Sequence, residues 1–222
     1  MVRNGGFHFN FTETRFMLCE GEDDKDVLES ILRDRGLPKY QVCCAAECNP
    51  QEIGGWHGFA SSLTGIEPLT GFPALKVLVI ATDNDISGKS FARAQEAISD
   101  NGGTPPNAPG EIGQLAGKPI TILLIPSGDI EGNLELLCLP AIQEKWPEAI
   151  DCVDAFLSCT KADSWKNQGN FYKARARSYV IGKNEDDPYK GLGYLFKRGT
   201  LSANHACFNK LAEFIKELEA KI

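Results

Sequence analysis

A chain of 222 residues with 42% apolar and 24% charged residues is long enough to bury a core and short for two full domains, so one domain with an elaboration is expected. No apolar run approaches the ~20 residues that a spanning helix needs, which excludes a membrane protein, and the first stretch, MVRNGGFHFNFTETRF, carries no signal-peptide pattern, so a cytoplasmic location is expected. The net charge of −7 is unevenly spread: residues 161–222 hold 12 Lys and Arg against 7 Asp and Glu, and residues 1–160 hold 11 against 23. The acidic part suits a cation site, and the basic part is the one suited to phosphates.

In chain order, RFMLCE (15–20) reads as a first strand, and DDKDVLESILRDRG as a helix with Val27, Leu28, Ile31 and Leu32 at helical spacing, ended by Gly36. YQVCCAA is a second strand candidate and QEIGGWHGFASSL a helix weakened by glycine. KVLVIAT is the third strand, GKSFARAQEAISDNGG a helix stopped by glycines, and ITILLIP the fourth strand. Strands that are continuously apolar and separated by helices indicate an open α/β fold, a mainly parallel four-stranded sheet covered by helices on both faces. The turn-rich 102–119 stretch, GGTPPNAPGEIGQLAGKP, is expected to be a mobile surface loop. LELLCLPAIQEKW, AIDCVDAFLSC and ACFNKLAEFIKELEAKI are apolar-periodic, the last through Phe208, Leu211, Phe214, Ile215 and Leu218. The division expected is an α/β domain over residues 1–146 and a helical C-terminal extension over residues 147–222 packed on it. FYKARARSY (171–179) reads as a solvated helix, because Lys173, Arg175 and Arg177 alternate without making one helical stripe.

Cys19, Cys43, Cys44 and Cys138 sit in apolar runs and read as buried reduced thiols, and CCAAEC lacks the second ligand pair of a zinc knuckle. His8, His57 and His205 are scattered, and they and Trp56, Trp146 and Trp165 read as packing residues.

The acidic residues fall where a parallel sheet binds ligands, just beyond the carboxyl ends of its strands. Glu20 ends the first strand, Asp83 and Asp85 follow the third, and Asp129, Glu131 and Glu135 lie in SGDIEGNLE after the fourth, each group accompanied by glycines that suit tight turns. Two carboxylates one residue apart repel unless a cation or a proton lies between them. Carboxylates from distant segments on one rim are what an oxygen-ligated divalent cation needs.

CEGEDDKDVL, with Glu20, Gly21 and Asp24, resembles the first signature of the TOPRIM family, and IATDNDISGKSFARA, with Asp83, Asp85 and Gly88, resembles its second, Asp-x-Asp-x-x-Gly. The resemblance covers about residues 14–135. The nearest layout is that of small stand-alone TOPRIM proteins related to the OLD nucleases, in which an acidic segment like GDIEGNLELL follows the fourth strand. No nucleotide-binding Gly-x-x-x-x-Gly-Lys-Ser/Thr run is present, so an ATPase would have to be a separate partner.

The resemblance implies a Rossmann-like TOPRIM fold and Mg²⁺- or Mn²⁺-dependent phosphodiester chemistry on DNA or RNA, most simply nuclease action. Glu20, Asp83 and Asp85 would be catalytic and hold metal, Glu131 and Glu135 would serve a second metal, and Gly21, Asp24 and Gly88 would support them, Asp24 by capping or orienting at the helix start, where a carboxylate is favoured anyway. Lys89 and Arg93 are candidates for steadying a phosphate, or are plain surface charges of the helix. Two alternatives remain. One is a haloacid-dehalogenase-type phosphatase with Asp83 as nucleophile, which leaves Glu20-Gly21 unexplained. The other is a partner-dependent nucleic-acid or protein binding module with an inactive site, favoured by the net charge of −7, since affinity for a polyanion rests on neutralising phosphates. A calcium EF-hand starting at Asp83 is excluded by Ala94 at its twelfth position, where a bidentate Glu is required.

Overall fold

The computed structural model describes residues 9–48, 57–85 and 89–222, so His8, Trp56, Gly88 and part of the glycine-rich helix candidate lie outside the described residues. β1 (Arg15–Cys19) leads to α1 (Glu22–Asp34), β2 (Gln41–Cys44) and two short helices, α2 (Ala45–Cys48) and α3 (Gly58–Leu63). β3 (Val77–Asp83), α4 (Lys89–Asp100), β4 (Gly113–Leu115) and β5 (Lys118–Ile125) follow. The rest of the chain is helical: α5 (Leu134–Lys145), α6 (Ile150–Cys159), α7 (Gln168–Lys183), α8 (Leu192–Lys197) and α9 (Asn209–Glu219). No helix among the described residues is long and apolar enough to cross a membrane.

The sheet has five strands in the order β2-β1-β3-β5-β4, parallel except for the antiparallel β4. The expected four-stranded sheet is therefore corrected to five, and the expected mobile loop contains the added edge strand. β4 returns onto β5 through Ala116 and Gly117, whose φ values of 50° and 73° make the two-residue turn that matches strand twist. Thr104 and Gln114 exchange backbone hydrogen bonds of 2.7 Å, and Gln95 Nε2 donates to Pro106 O at 2.7 Å, so the connector is tied to both its neighbours.

Side-chain alternation along the strands builds two cores. Phe16 and Leu18, Leu78 and Ile80, and Ile120, Ile122 and Leu124 face one side, where α3 and α4 cover them through Phe59, Leu63, Ala94 and Ile98. Met17 and Cys19, Val79 and Ala81, and Leu123 and Ile125 face the other, where α1 and α5 meet Leu157, Tyr179, Phe196, Phe208, Leu211 and Ile215 from α6 to α9. Residues beyond 146 thus complete a core that begins at β1. At the far end of the chain, the Glu219 carboxylate accepts hydrogen bonds from the Arg15 guanidinium at 2.6 to 2.9 Å and from the Tyr40 hydroxyl at 2.6 Å, which fastens α9 to β1. Cys19, Cys43, Cys44, Cys48 and Cys138 are buried free thiols, and burial pushes those of Cys19 and Cys138 well up. His205 is structural: Nδ1 accepts from Cys207 N at 3.1 Å and Nε2 lies 3.0 Å from Glu144.

Gly193 lets α8 lie against α1. A Cβ there would stand 2.8 Å from both the Cα and the carbonyl oxygen of Asp23, and the Gly193 N–H donates to Asp23 Oδ1 at 2.8 Å. Gly193→Ala is expected to destabilise the protein by about 1–3 kcal/mol, the cost of overpacking a close contact. In a thermal melt that is a drop in Tm of about 2–4 °C per kcal/mol; an unchanged Tm would contradict this docking of α8.

Candidate functional site

The chain places β2 on one side of β1 and β3 on the other, so the strand order reverses between β1 and β3. At such a point the loops leave toward opposite faces and open a crevice at the carboxyl ends of the two strands. Glu20 directly follows β1 and Asp83 ends β3, so both residues stand at this point of the sheet. The Glu20 carboxylate is fixed to the end of β3: its Oε1 accepts from the Thr82 hydroxyl at 2.5 Å and from the Asp83 backbone N–H at 3.0 Å. Asp83 is 8% exposed, and its Oδ1 accepts from the Leu134 N–H at 3.0 Å, at the start of α5. Its carboxylate is thereby tied to the segment after β5.

The turn from β1 into α1 holds the third carboxylate. Gly21 is the N-cap of α1, and Asp24 Oδ2 accepts from its N–H at 2.9 Å, so Asp24 has the capping role its helical position predicts. Burial, and after it the charges of Glu20 and Glu135, push the Asp24 carboxyl up from 3.8 to about 7. Burial also pushes Asp83 well above the usual carboxylate range, followed by Asp24, Glu20 and Glu135, with Lys173 opposing. Glu135 is raised by burial against the same lysine. The cause throughout is desolvation of like charges, which disfavours the ionised form.

Asp83 and Asp85 flank Asn84, whose buried side chain does different work. Asn84 Nδ2 donates to Ser127 O and Ile130 O, both at 3.1 Å, its N–H donates to Ile125 O, and its carbonyl accepts from the Gly132 N–H. It binds the end of β3 to the loop after β5, an assignment that the Asp-x-Asp pattern leaves blank.

The remaining candidates separate. Glu135, the second residue of α5, contributes to the field around Asp24 and Asp83. Glu131, four residues earlier, is exposed and lines a neighbouring cleft of about 560 Å³ together with Asp85. Lys89 is exposed at the start of α4, and Arg93 is partly buried one turn on; α4 covers the sheet face opposite to α1 and α5. Lys173, a charge of the expected solvated helix and not among the expected site residues, is exposed. It lies on α7, and although partial desolvation works against its charge, Glu135, Asp83, Asp85 and Glu20 raise its pKa. Its signal was the acid-free run of basic residues in α7, read as a solvated surface.

Among the described residues no three His, Cys, Asp or Glu side chains converge closely enough to enclose a metal ion. The donor chemistry nevertheless fits a cation that keeps much of its water. Glu20 and Asp83 each commit one oxygen to donors of the fold, while Glu20 Oε2 and Asp83 Oδ2 accept no hydrogen bond among the described residues. Mg²⁺ is commonly held by one or two carboxylates, with water and phosphate oxygens completing its shell. An apolar groove of about 470 Å³ between α6 and α7, lined by Cys152, Phe156, Tyr179 and Ile181, includes none of the carboxylates of the crevice.

The family described as "Protein of unknown function (DUF3226)" matches residues 14–220, and the chain belongs to it. No curated protein and no solved structure matches the chain.

The raised carboxyls predict a pH dependence. A carboxyl whose folded pKa lies above its unfolded value binds more protons in the folded state between the two, so stability falls as pH rises through that window. For Asp24 the window runs from 3.8 to about 7, and the upward shift of Asp83 acts in the same sense. In chelator-containing buffer, Tm is expected to fall from pH 4 to pH 8 by more in the wild type than in Asp24→Asn, which keeps an oxygen for the Gly21 N–H. Parallel Tm curves for the two proteins would show that Asp24 carries no such strain.

Proposed function

We propose that this member of the family performs Mg²⁺- or Mn²⁺-dependent phosphodiester chemistry on nucleic acid, as a nuclease, through a TOPRIM-like site. The observation that carries the reading is the linkage of Glu20 to Asp83 at the strand-order reversal, one oxygen of each fixed and the other left for a cation. Glu20, Asp83 and Asp85 would hold the ion, which when bound supplies positive charge to the phosphodiester oxygens.

The side chains have separable tasks under this reading. Thr82 and the Asp83 N–H hold Glu20 Oε1, which leaves Oε2 either to complete the metal shell or to act as general acid or base on the attacking or leaving oxygen. The Leu134 N–H orients Asp83. Asp24 holds the β1–α1 turn in shape through Gly21, and Lys173 offsets negative charge from the α7 side. The phosphatase alternative leaves Glu20 and Gly21 without a role, although Glu20 is held to the Thr82 hydroxyl and the Asp83 N–H.

Mg²⁺ or Mn²⁺ is expected to raise the Tm of the wild type, because a ligand of the folded state alone stabilises it. Asp83→Asn with Asp85→Asn should be more stable than wild type in chelator and give no metal response. Mn²⁺-dependent nicking of supercoiled DNA or trimming of RNA should disappear in Asp83→Asn. In Glu20→Gln it should fall by about two orders of magnitude or more with the fold intact, the scale of a lost general acid or base. An unchanged metal response in the double variant, or rapid hydrolysis of p-nitrophenyl phosphate without any nuclease activity, overturns the reading.

A further inference from the structure

The cleft of about 560 Å³ beside the crevice shares Asp85 with the proposed metal site, and the mechanism above uses none of its other lining residues. Asp85 and Glu131 line it from the loops that follow β3 and β5, and Lys166, Asn167, Gln168 and Tyr172 line it from the start of α7 and the two residues before it. Its volume falls within the ~300–1,000 Å³ of small-molecule sites, and its lining is mixed rather than apolar. We infer that this cleft takes an unpaired nucleobase stacked on Tyr172, so that the substrate of the neighbouring site is single-stranded nucleic acid. The inference rests on the phosphodiester reading for its substrate class.

Three features of the lining favour a base over a phosphate. Glu131, which the proposed metal site does not use, would repel a phosphate but can accept from the exocyclic amine of a neutral base. Tyr172 offers an aromatic ring, the group on which unpaired bases stack irrespective of sequence. The two amides are each half committed: Asn167 Oδ1 accepts from the Asn170 N–H at 3.1 Å, and Gln168 Nε2 donates to Trp165 O at 3.1 Å. Asn167 Nδ2 and Gln168 Oε1 form no hydrogen bond among the described residues, which leaves one donor and one acceptor for a base edge. Lys166 is exposed at the same wall and forms no ion pair among the described residues, where it can meet the backbone of the strand. A base held in a duplex is stacked and paired and cannot enter such a cleft without being extruded.

The test is fluorescence anisotropy of the full chain with a labelled single strand, as DNA and as RNA, and with the duplex of the same sequence, in Ca²⁺. One or both single strands should bind about tenfold more tightly than the duplex. Tyr172→Leu, which keeps bulk but removes the ring, should weaken single-strand binding by about tenfold, the scale of one lost stack, while Tyr172→Phe should not. Lys166→Ala should weaken binding irrespective of sequence and lower the salt dependence by about one unit of slope. Photo-crosslinking of a 5-iodouracil-substituted strand to the wild type should attach at residues 166–172, a readout that does not depend on any variant folding. Equal binding of duplex, wild-type affinity in Tyr172→Leu, crosslinks confined to other segments, or no binding of either strand overturns the inference. The Asp83-dependent metal response is measured separately, so loss of that response with Tyr172-dependent binding retained would fail the metal reading alone.

Discussion

The structure depends on the burial of like charges at one point of the sheet. Asp83 is 8% exposed and lies within the fields of Asp24, Glu20 and Glu135, an arrangement that destabilises its ionised state. The chain answers with donors drawn from separate segments: the Thr82 hydroxyl and the Asp83 N–H for Glu20, the Leu134 N–H for Asp83, and the Gly21 N–H for Asp24. Each donor satisfies one carboxylate oxygen, and none neutralises the charge. The remaining negative potential is what would draw in a cation, and it comes at the cost of stability at neutral pH.

The helices after residue 146 are part of this arrangement rather than an appendage. They complete the core on the Met17 and Val79 side of the sheet, and α8 reaches α1 at Gly193 and Asp23, next to the capping Asp24. α7 carries Lys173 toward the carboxylates and builds the Tyr172 side of the cleft. The uneven charge along the chain thus has a spatial counterpart, because the acidic strand ends face an α7 that holds Lys and Arg and no Asp or Glu. A destabilising change in the α8 contact is therefore expected to disturb the site as well as the fold.

What the sequence determined by itself is whatever short-range pattern encodes. Val27, Leu28, Ile31 and Leu32 define α1, and continuous apolar runs define β1, β3 and β5, because burial on both faces of a parallel sheet leaves no alternation. Glu20 and Asp83 were legible as partners because each ends an apolar run, and Asp24 as a cap from its place in the first helical turn. Tertiary structure alone decided the rest. β4 has three residues, too few for a pattern, and exists only because Ala116 and Gly117 fold it back onto β5. Asn84 and Thr82 gain their roles from partners more than forty residues away. Glu131 and Glu135 are alike in sequence, yet one lies in a loop at the cleft and the other in the first turn of α5 beside the crevice. Lys173 faces the carboxylates because α7 packs against α5, and no periodicity within α7 states which way a helix will be turned when it docks. The physical reason is common to these cases: local sequence sets which backbone conformations are favourable, while which side chains meet is set by how the buried faces fit together.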